Sequence, residues 1–199
     1  MRNMEAHPRF DEICDAISRI RNDNALKPFG GIVYRYASSK YSTAEKMMSG
    51  EGSHRAGGRW NYPGVFHAVY CASSPELANN EFFAGCESAG LPKEKMMPVI
   101  GKPVRVKLDL VLDLRDHIIL RRLGIRVKDM REDPWRYATD QSRESLCQAI
   151  GRAACQNRVE ALLAPAASAP RGLGFNIVLI RENLRPGKDR VRVLPRSRT

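Results

Sequence analysis

Residues 57–81 set a glycine loop, a β-prone run and a helix start end to end, which commits this stretch to a loop–strand–helix unit. It reads Gly57-Gly58-Arg59-Trp60-Asn61, then Val65-Phe66-His67-Ala68-Val69-Tyr70, then Ser73-Ser74-Pro75-Glu76-Leu77-Ala78-Asn79-Asn80-Glu81. Ser73 followed three residues later by Glu76, with Pro75 near the first helical position, predicts a helix N-terminus. There hydroxyl and carboxylate satisfy the first amides and proline presets φ. Leu77 and Glu81 then stand at i and i+4, as do Ala78 and Phe82, so Glu81 falls on the stripe that buries Leu77 and Phe82. A carboxylate in that position is either a site residue or a rim glutamate paired with one of the chain's many arginines.

The 199 residues, 43% of them hydrophobic, suit one domain with a real core and leave little room for a second. No run of 18 apolar residues exists, and the start, Met1 to Pro8, is polar and lacks the apolar stretch of a signal peptide. The expected location is therefore the cytoplasm, with no membrane association. Five cysteines (Cys14, Cys71, Cys86, Cys147, Cys155) are odd in number and scattered, without C-x-x-C or a Cys/His cluster, which argues against disulfides and against a metal site. The net charge of +11 is uneven: residues 1–100 hold 12 Lys/Arg against 11 Asp/Glu, and residues 101–199 hold 21 against 11. Such asymmetry implies an anionic partner, which nucleic acid, a phosphorylated small molecule or an acidic protein would each satisfy, or else a solvated basic face.

Along the chain, Phe10, Ile13, Cys14, Ile17 and Ile20 recur at helical spacing and predict a first amphipathic helix over 9–21. Gly30-Gly31 punctuates, and Ile32 to Tyr36 is a short strand in which Val33 and Arg35 share a face. The stretch from Ser38 to Gly58 reads as a long loop, and loops of that length are functional or disordered. Val104 to Leu110 alternates as a half-buried strand. Helical signals cover 118–129 and 135–150. Val159 to Pro165 and Asn176 to Ile180 read as buried strands on either side of a small-residue loop, and Arg190 to Leu194 as a last edge strand. Helices and strands mix without a β-α-β-α cadence, which predicts an α+β single domain: a mixed sheet core flanked by helices. No internal repeat, no G-x-G-x-x-G and no Walker loop occurs, so the common nucleotide-binding frameworks are absent.

The ordered set of a strand arginine (Arg35), the Gly-Gly-Arg-Trp-Asn loop (57–61), a strand tyrosine (Tyr70), the Ser-Pro-Glu-Leu-Ala-x-x-Glu helix start (74–81) and a late proline/serine loop before an Asn-hydrophobic strand (165–180) resembles the RES domain. The resemblance covers residues 30–182. It implies a fold similar to ADP-ribosyltransferases and a toxin of a bacterial toxin–antitoxin pair that consumes NAD+ as substrate, by hydrolysis or phosphorolysis, or that modifies a protein by ADP-ribosylation. It also implies a cognate antitoxin with a Cro/Xre-type DNA-binding part, acidic where it meets the basic chain, so that DNA is reached only through the antitoxin. The chain then divides into an N-terminal helical extension (1–29), a RES-like NAD-binding domain (30–182) and a basic C-terminal tail (183–199). Carried over by position, Arg35, Glu81 and Ser168 are the catalytic residues, and Arg35, Tyr36, Arg59, Asn61 and Tyr70 line the NAD+ site. One departure from the family pattern is that Ala166 and Ala167 separate Pro165 from Ser168.

The chemistry fits these residue types. Breaking the nicotinamide–ribose bond expels a neutral pyridine and leaves oxocarbenium character on the sugar, as in glycoside hydrolysis. A carboxylate at Glu81 on an apolar helix face stabilises that charge or holds a ribose hydroxyl. Arginine's planar fork suits the pyrophosphate, with a structural salt bridge as the bland alternative for Arg35 and Arg59. Tyr70 either stacks on nicotinamide or is a strand tyrosine with a buried ring, and Trp60 reads as a packing anchor for its loop. Ser168 lacks the Gly-x-Ser-x-Gly elbow and the His/Asp pair of a hydrolase nucleophile, so its expected role is to orient the ribose or Glu81. The four histidines are isolated. A basic nucleic-acid-binding module remains the competing class, although no helix-turn-helix and no aromatic interleaving supports it.

Overall fold

The structure, a computed structural model, describes residues 4–88, 90–166, 174–185 and 190–195. In chain order it contains α1 (Phe10–Asn22), β1 (Lys27–Ser38), α2 (Ala44–Met47), α3 (Glu51–Ala56), β2 (Ala68–Ala72), α4 (Pro75–Ser88), α5 (Lys93–Met96) and β3 (Val99–Asp113). These are followed by α6 (His117–Arg122), α7 (Val127–Arg131), α8 (Trp135–Asp140), α9 (Leu146–Gln156), β4 (Ala161–Pro165), β5 (Phe175–Ile180) and β6 (Val191–Val193). The expected single α+β domain with a mixed sheet and flanking helices is what these elements build.

Strand order is β1-β2-β5-β4-β3-β6, and β1 pairs with β3 as well, so five strands close into a small barrel with β6 outside it. The long β3 makes this possible. One of its edges takes β1 over the run from Val111 opposite Lys27 to Val99 opposite Ser38. Its other edge is shared, with β6 antiparallel at 104–106 and β4 parallel at 111–113. The β1–β2 seam is the weak one, with Tyr34 opposite Ala72 as its sole register pair among the described residues.

The period of two sorts the strand residues. Val33, Val69, Cys71, Val104, Val106, Leu108, Ala161, Leu163, Ile177 and Leu179 fill the barrel. Leu112, Leu162, Ala164, Val178 and Ile180 face outward beneath α1 and α9, whose Ile13, Ile17, Ile20, Ala149, Ile150 and Ala153 form the larger core. Helix α1 therefore belongs to the central packing, and β6 adds a strand to β3. A third, smaller cluster joins Ala72, Leu77, Ala78 and Ala166 under the rings of Tyr34 and Tyr36.

Several local expectations change. Gly30 and Gly31 do not interrupt the strand: opposite Lys107 and Val106 they lie inside a twelve-residue β1. The long loop 38–58 carries a 3-10 turn (Ser39–Tyr41) and the short helices α2 and α3. The helical run 118–129 splits into α6 and α7 at Gly124, which sits at φ +61 and ends α6. The run 135–150 splits into α8 and α9 because Ser145 caps a new helix, its Oγ accepting from the Gln148 amide at 3.3 Å and donating to Asp133 at 2.7 Å. Strand β2 begins at Ala68, three residues later than expected. The cap of α4 is also one residue on: the Ser74 hydroxyl accepts from the Leu77 amide at 3.1 Å, while Ser73 accepts from the Phe175 amide at 3.0 Å and ties the helix start to β5.

Candidate active site

Arg35 follows Val33 on the inward side of β1, at the weak seam of the barrel. Its Nη1 donates to the Tyr70 carbonyl at 2.6 Å and its Nε to the Met47 carbonyl at 2.7 Å, so one guanidinium fastens β1 to β2 and to the end of α2. Burial pulls its pKa down, and nearby Cys71 and Tyr70 push it back. The group remains a cation, since guanidinium does not deprotonate in proteins. Among the described residues no carboxylate pairs with it. Tyr36, one residue on, points the other way: its ring covers Gly101, where a Cβ would lie 2.4 Å from Cζ. Arg35 and Tyr36 thus address opposite faces of the strand.

Tyr70 is the hub of the 57–61 loop. Its hydroxyl donates to Asn61 Oδ1 at 2.7 Å and accepts from the Trp60 amide at 3.0 Å. Burial pushes the phenol well above its ordinary pKa, so it stays a neutral donor. Asn61 is fully buried, and its Nδ2 donates to the Ser53 carbonyl at 2.8 Å. Gly58 is required by this arrangement, because a Cβ there would sit 2.4 Å from the Tyr70 hydroxyl. Trp60 is buried as the expected packing anchor. With their polar groups engaged inside the protein, Tyr70 and Asn61 shape the loop, and Arg59 is the side chain the loop projects. Its Nη1 donates to the Met130 carbonyl at 2.7 Å, at the C-terminal end of α7, where the helix dipole favours a cation.

Two scaffold residues escape a reading of the sequence. Gln148 on α9 is fully buried and donates through Nε2 to the Gly58 carbonyl at 3.1 Å and to Thr139 Oγ1 at 2.9 Å. Ser53 holds the loop through Asn61 and bonds the Ala68 carbonyl at 2.5 Å. Both are ordinary polar residues in sequence, and only their burial marks them.

Glu81 is half-buried on α4, one turn beyond Leu77 and Ala78, which pack on Ala166 and Ala72. Ala166 ends the described part of the chain after β4, so the strand that leads toward Ser168 lies against the first turn of the Glu81 helix. Ser168 itself lies outside the described residues. Beside Ala166 opens a cleft of about 260 Å3, lined by Arg115, Val127, Arg131, Pro165, Gly174 and Phe175. Arg115 is held bidentately by Asp113 at 2.8 and 2.7 Å and lies over the Phe175 ring. The structure thus gathers Tyr36, the α4 helix of Glu81 and the end of β4 around one patch. Arg59 stands at the end of α7, whose Val127 and Arg131 border the cleft, and Arg35 reaches the patch only through the backbone of Tyr70. Among the described residues no group of three His, Cys, Asp or Glu side chains converges to hold a metal.

A mixed barrel carrying an arginine at its seam, a tyrosine-held arginine loop and a glutamate helix defines a class: the chain belongs to the RES domain family, whose family model matches residues 32–198. Its relatives include the NAD(+) phosphorylase MbcT of Mycobacterium tuberculosis (strain H37Rv) and that of Mycobacterium bovis. Each is 31% identical over 166 residues, covering 82% of this chain and 83% of the relative. The crystal structure of the M. tuberculosis MbcT–MbcA toxin–antitoxin complex matches this fold with a TM-score of 0.66 at 24% identity, covering 92% of this chain and 91% of that one.

Proposed function

We propose that this chain is an NAD+ phosphorylase acting as the toxin of a toxin–antitoxin pair. The observation that carries the reading is its 31% identity, over 82% of its length, to the NAD(+) phosphorylase MbcT. The geometry supports it in three ways. Arg35 and Arg59 carry positive charges bonded to backbone carbonyls and neutralised by no described carboxylate, which suits a dinucleotide pyrophosphate. Glu81 lies half-buried on α4, whose Leu77 and Ala78 pack on Ala166 at the cleft edge, and its carboxylate can oppose an oxocarbenium ion there. Tyr70 and Asn61 hold the Arg59 loop in place before substrate arrives, so their contribution is preorganisation rather than contact. Ser168 is assigned to orienting the ribose, and Tyr36 to lining the same face as Glu81.

In the reaction the C–N electron pair leaves with the pyridine ring as neutral nicotinamide, and an oxygen of monohydrogen phosphate bonds the anomeric carbon. The attacking oxygen is already anionic, so no general base is needed. Water as acceptor has to lose a proton. A site whose histidines serve elsewhere is better matched to phosphate: His67, for one, is held by Glu182 at 2.8 Å and stacked on His54.

Incubating the purified chain with NAD+, with and without phosphate, and weighing the products tests this. The expected product with phosphate is ADP-ribose phosphate plus nicotinamide. Glu81→Gln should slow turnover by about 100-fold or more with the melting temperature unchanged. Unchanged NAD+, or ADP-ribose found only on protein, would sink the reading. The partner is an antitoxin, as in the MbcT–MbcA complex, and adding it at equimolar ratio should abolish the turnover.

A further inference from the structure

Resting on that reading, we propose that the arginine centre at the end of α7, with Arg131 as its principal ligand and Arg136 and Arg59 beside it, is the subsite for the inorganic phosphate acceptor. Arg59 comes from the 57–61 loop, and Arg131 and Arg136 from the consecutive helices α7 and α8. Arg131 is the last residue of α7 and borders the cleft. Arg59 reaches the same helix end, donating to the Met130 carbonyl at 2.7 Å and to the Arg131 carbonyl at 3.5 Å. Arg136 lies on α8 over the Trp135 ring, and its pKa is lowered by burial and then by the positive charge of Arg59. Several other arginines of the C-terminal half are neutralised nearby: Arg115 by Asp113, Arg126 by Asp129, Arg152 by Glu144, and Arg190 by Asp109. None of Arg59, Arg131 and Arg136 forms an ion pair among the described residues.

Capping of α7 accounts for Arg59 but not for the rest. Arg131 Nε is buried and has no hydrogen-bond partner among the described residues, a costly state for a charged donor. Arg59 Nη1 also comes within 3.5 Å of the Arg131 carbonyl, and its positive charge is felt by Arg136, with no described carboxylate paired to either. A tetrahedral oxyanion resolves both features at once, because its oxygens accept several N–H bonds from planar forks. The cleft walls Val127, Pro165, Ala166, Gly174 and Phe175 are apolar, which strengthens the attraction. Ala166 packs on the first turns of α4, so the subsite adjoins the helix that carries Glu81. Arg35, at the separate β1–β2 seam, is left for the dinucleotide together with Arg59, which borders the subsite without being its principal ligand. A phosphate group of NAD+ offers the same oxyanion chemistry, and the experiment separates the two sources.

Phosphate and NAD+ are varied independently in steady-state assays of wild-type, Arg131→Ala, Arg131→Lys and Arg136→Ala proteins, with thermal melts to verify folding. The expected result is a KM for phosphate raised about 10-fold or more in Arg131→Ala and less in the other two, with KM for NAD+ within about twofold and a larger share of hydrolysed product. A rise in KM for NAD+ instead places the dinucleotide's own phosphate there and overturns the assignment, as do unchanged values for both substrates. Calorimetric titration with inorganic phosphate alone gives a readout that needs no turnover. Wild-type protein should bind and Arg131→Ala should not; equal binding by the two overturns the subsite. Absence of NAD+ consumption by wild-type protein would strike the enzymatic reading and leave this titration to judge the subsite.

Discussion

Replacing Tyr70 by Phe removes one oxygen and leaves two groups without it, the Asn61 Oδ1 and the Trp60 amide, which it engages at 2.7 and 3.0 Å. Both belong to buried residues. Leaving such groups unpaired costs about 2 kcal/mol, which for a chain of this size lowers the melting temperature by roughly 4–8 °C. The same hydroxyl fixes the loop that projects Arg59, so KM for NAD+ should rise more than kcat falls. A Tyr70→Phe protein with normal stability and a collapsed kcat would instead make the hydroxyl a participant in the chemistry. The family resemblance offered Tyr70 as a ligand contact and its place in a strand as a buried tyrosine, and in the structure its hydroxyl is engaged by Asn61 and Trp60.

Helix α9 governs the site from behind, through contacts that only its small residues allow. A Cβ at Gly151 would lie 1.7 Å from the Trp60 carbonyl oxygen, a backbone atom that cannot yield cheaply. Gly151→Ala should therefore cost about 3 kcal/mol in urea unfolding and, by displacing Trp60, also weaken NAD+ binding through Arg59. An alanine variant of wild-type stability would mean that α9 does not press on the loop. This element also marks where the sequence is legible and where it is not. The helix itself is visible in the Ser145–Ile150 pattern, and β5 in Asn176–Ile180, because burial imposes a period on apolar residues. Its separation from α8 is not, because it depends on Asp133, 12 residues before Ser145, bonding that hydroxyl and the Cys147 amide. Barrel closure is likewise invisible, since the β1–β3 pairing has no local signature in either strand. At the site, Arg35, Arg59 and Glu81 stood out through motif order. Arg131 did not, being one arginine in a basic half, and only its unpartnered, buried Nε at the edge of the cleft distinguishes it.

Across the whole molecule the basic C-terminal half is not one uniform face, because Arg190 and Arg185 are spent on holding the chain together at the end of β4 away from the cleft. Glu160, only 1% exposed, accepts from the Asp109 and Leu110 amides at 2.6 and 3.0 Å through one oxygen. Its other oxygen faces Arg190 at 3.6 Å, and Arg190 also bonds Asp109 at 2.7 Å, which ties the start of β6 to β3. Removing Arg190 leaves a buried carboxylate facing only the half-exposed Arg185, 4.0 Å away, and so destabilises the fold. The cleft lies at Pro165 and Ala166, five residues further along β4, roughly 16 Å away. Arg190→Met should accordingly lower the urea midpoint and leave kcat and both KM values near wild type. Adding Glu160→Gln to it should restore much of the lost stability, because the stranded charge is then gone. If Arg190→Met instead lost activity at full stability, the basic end and the cleft would have to act as one surface, and the separation of clasp from chemistry would be wrong.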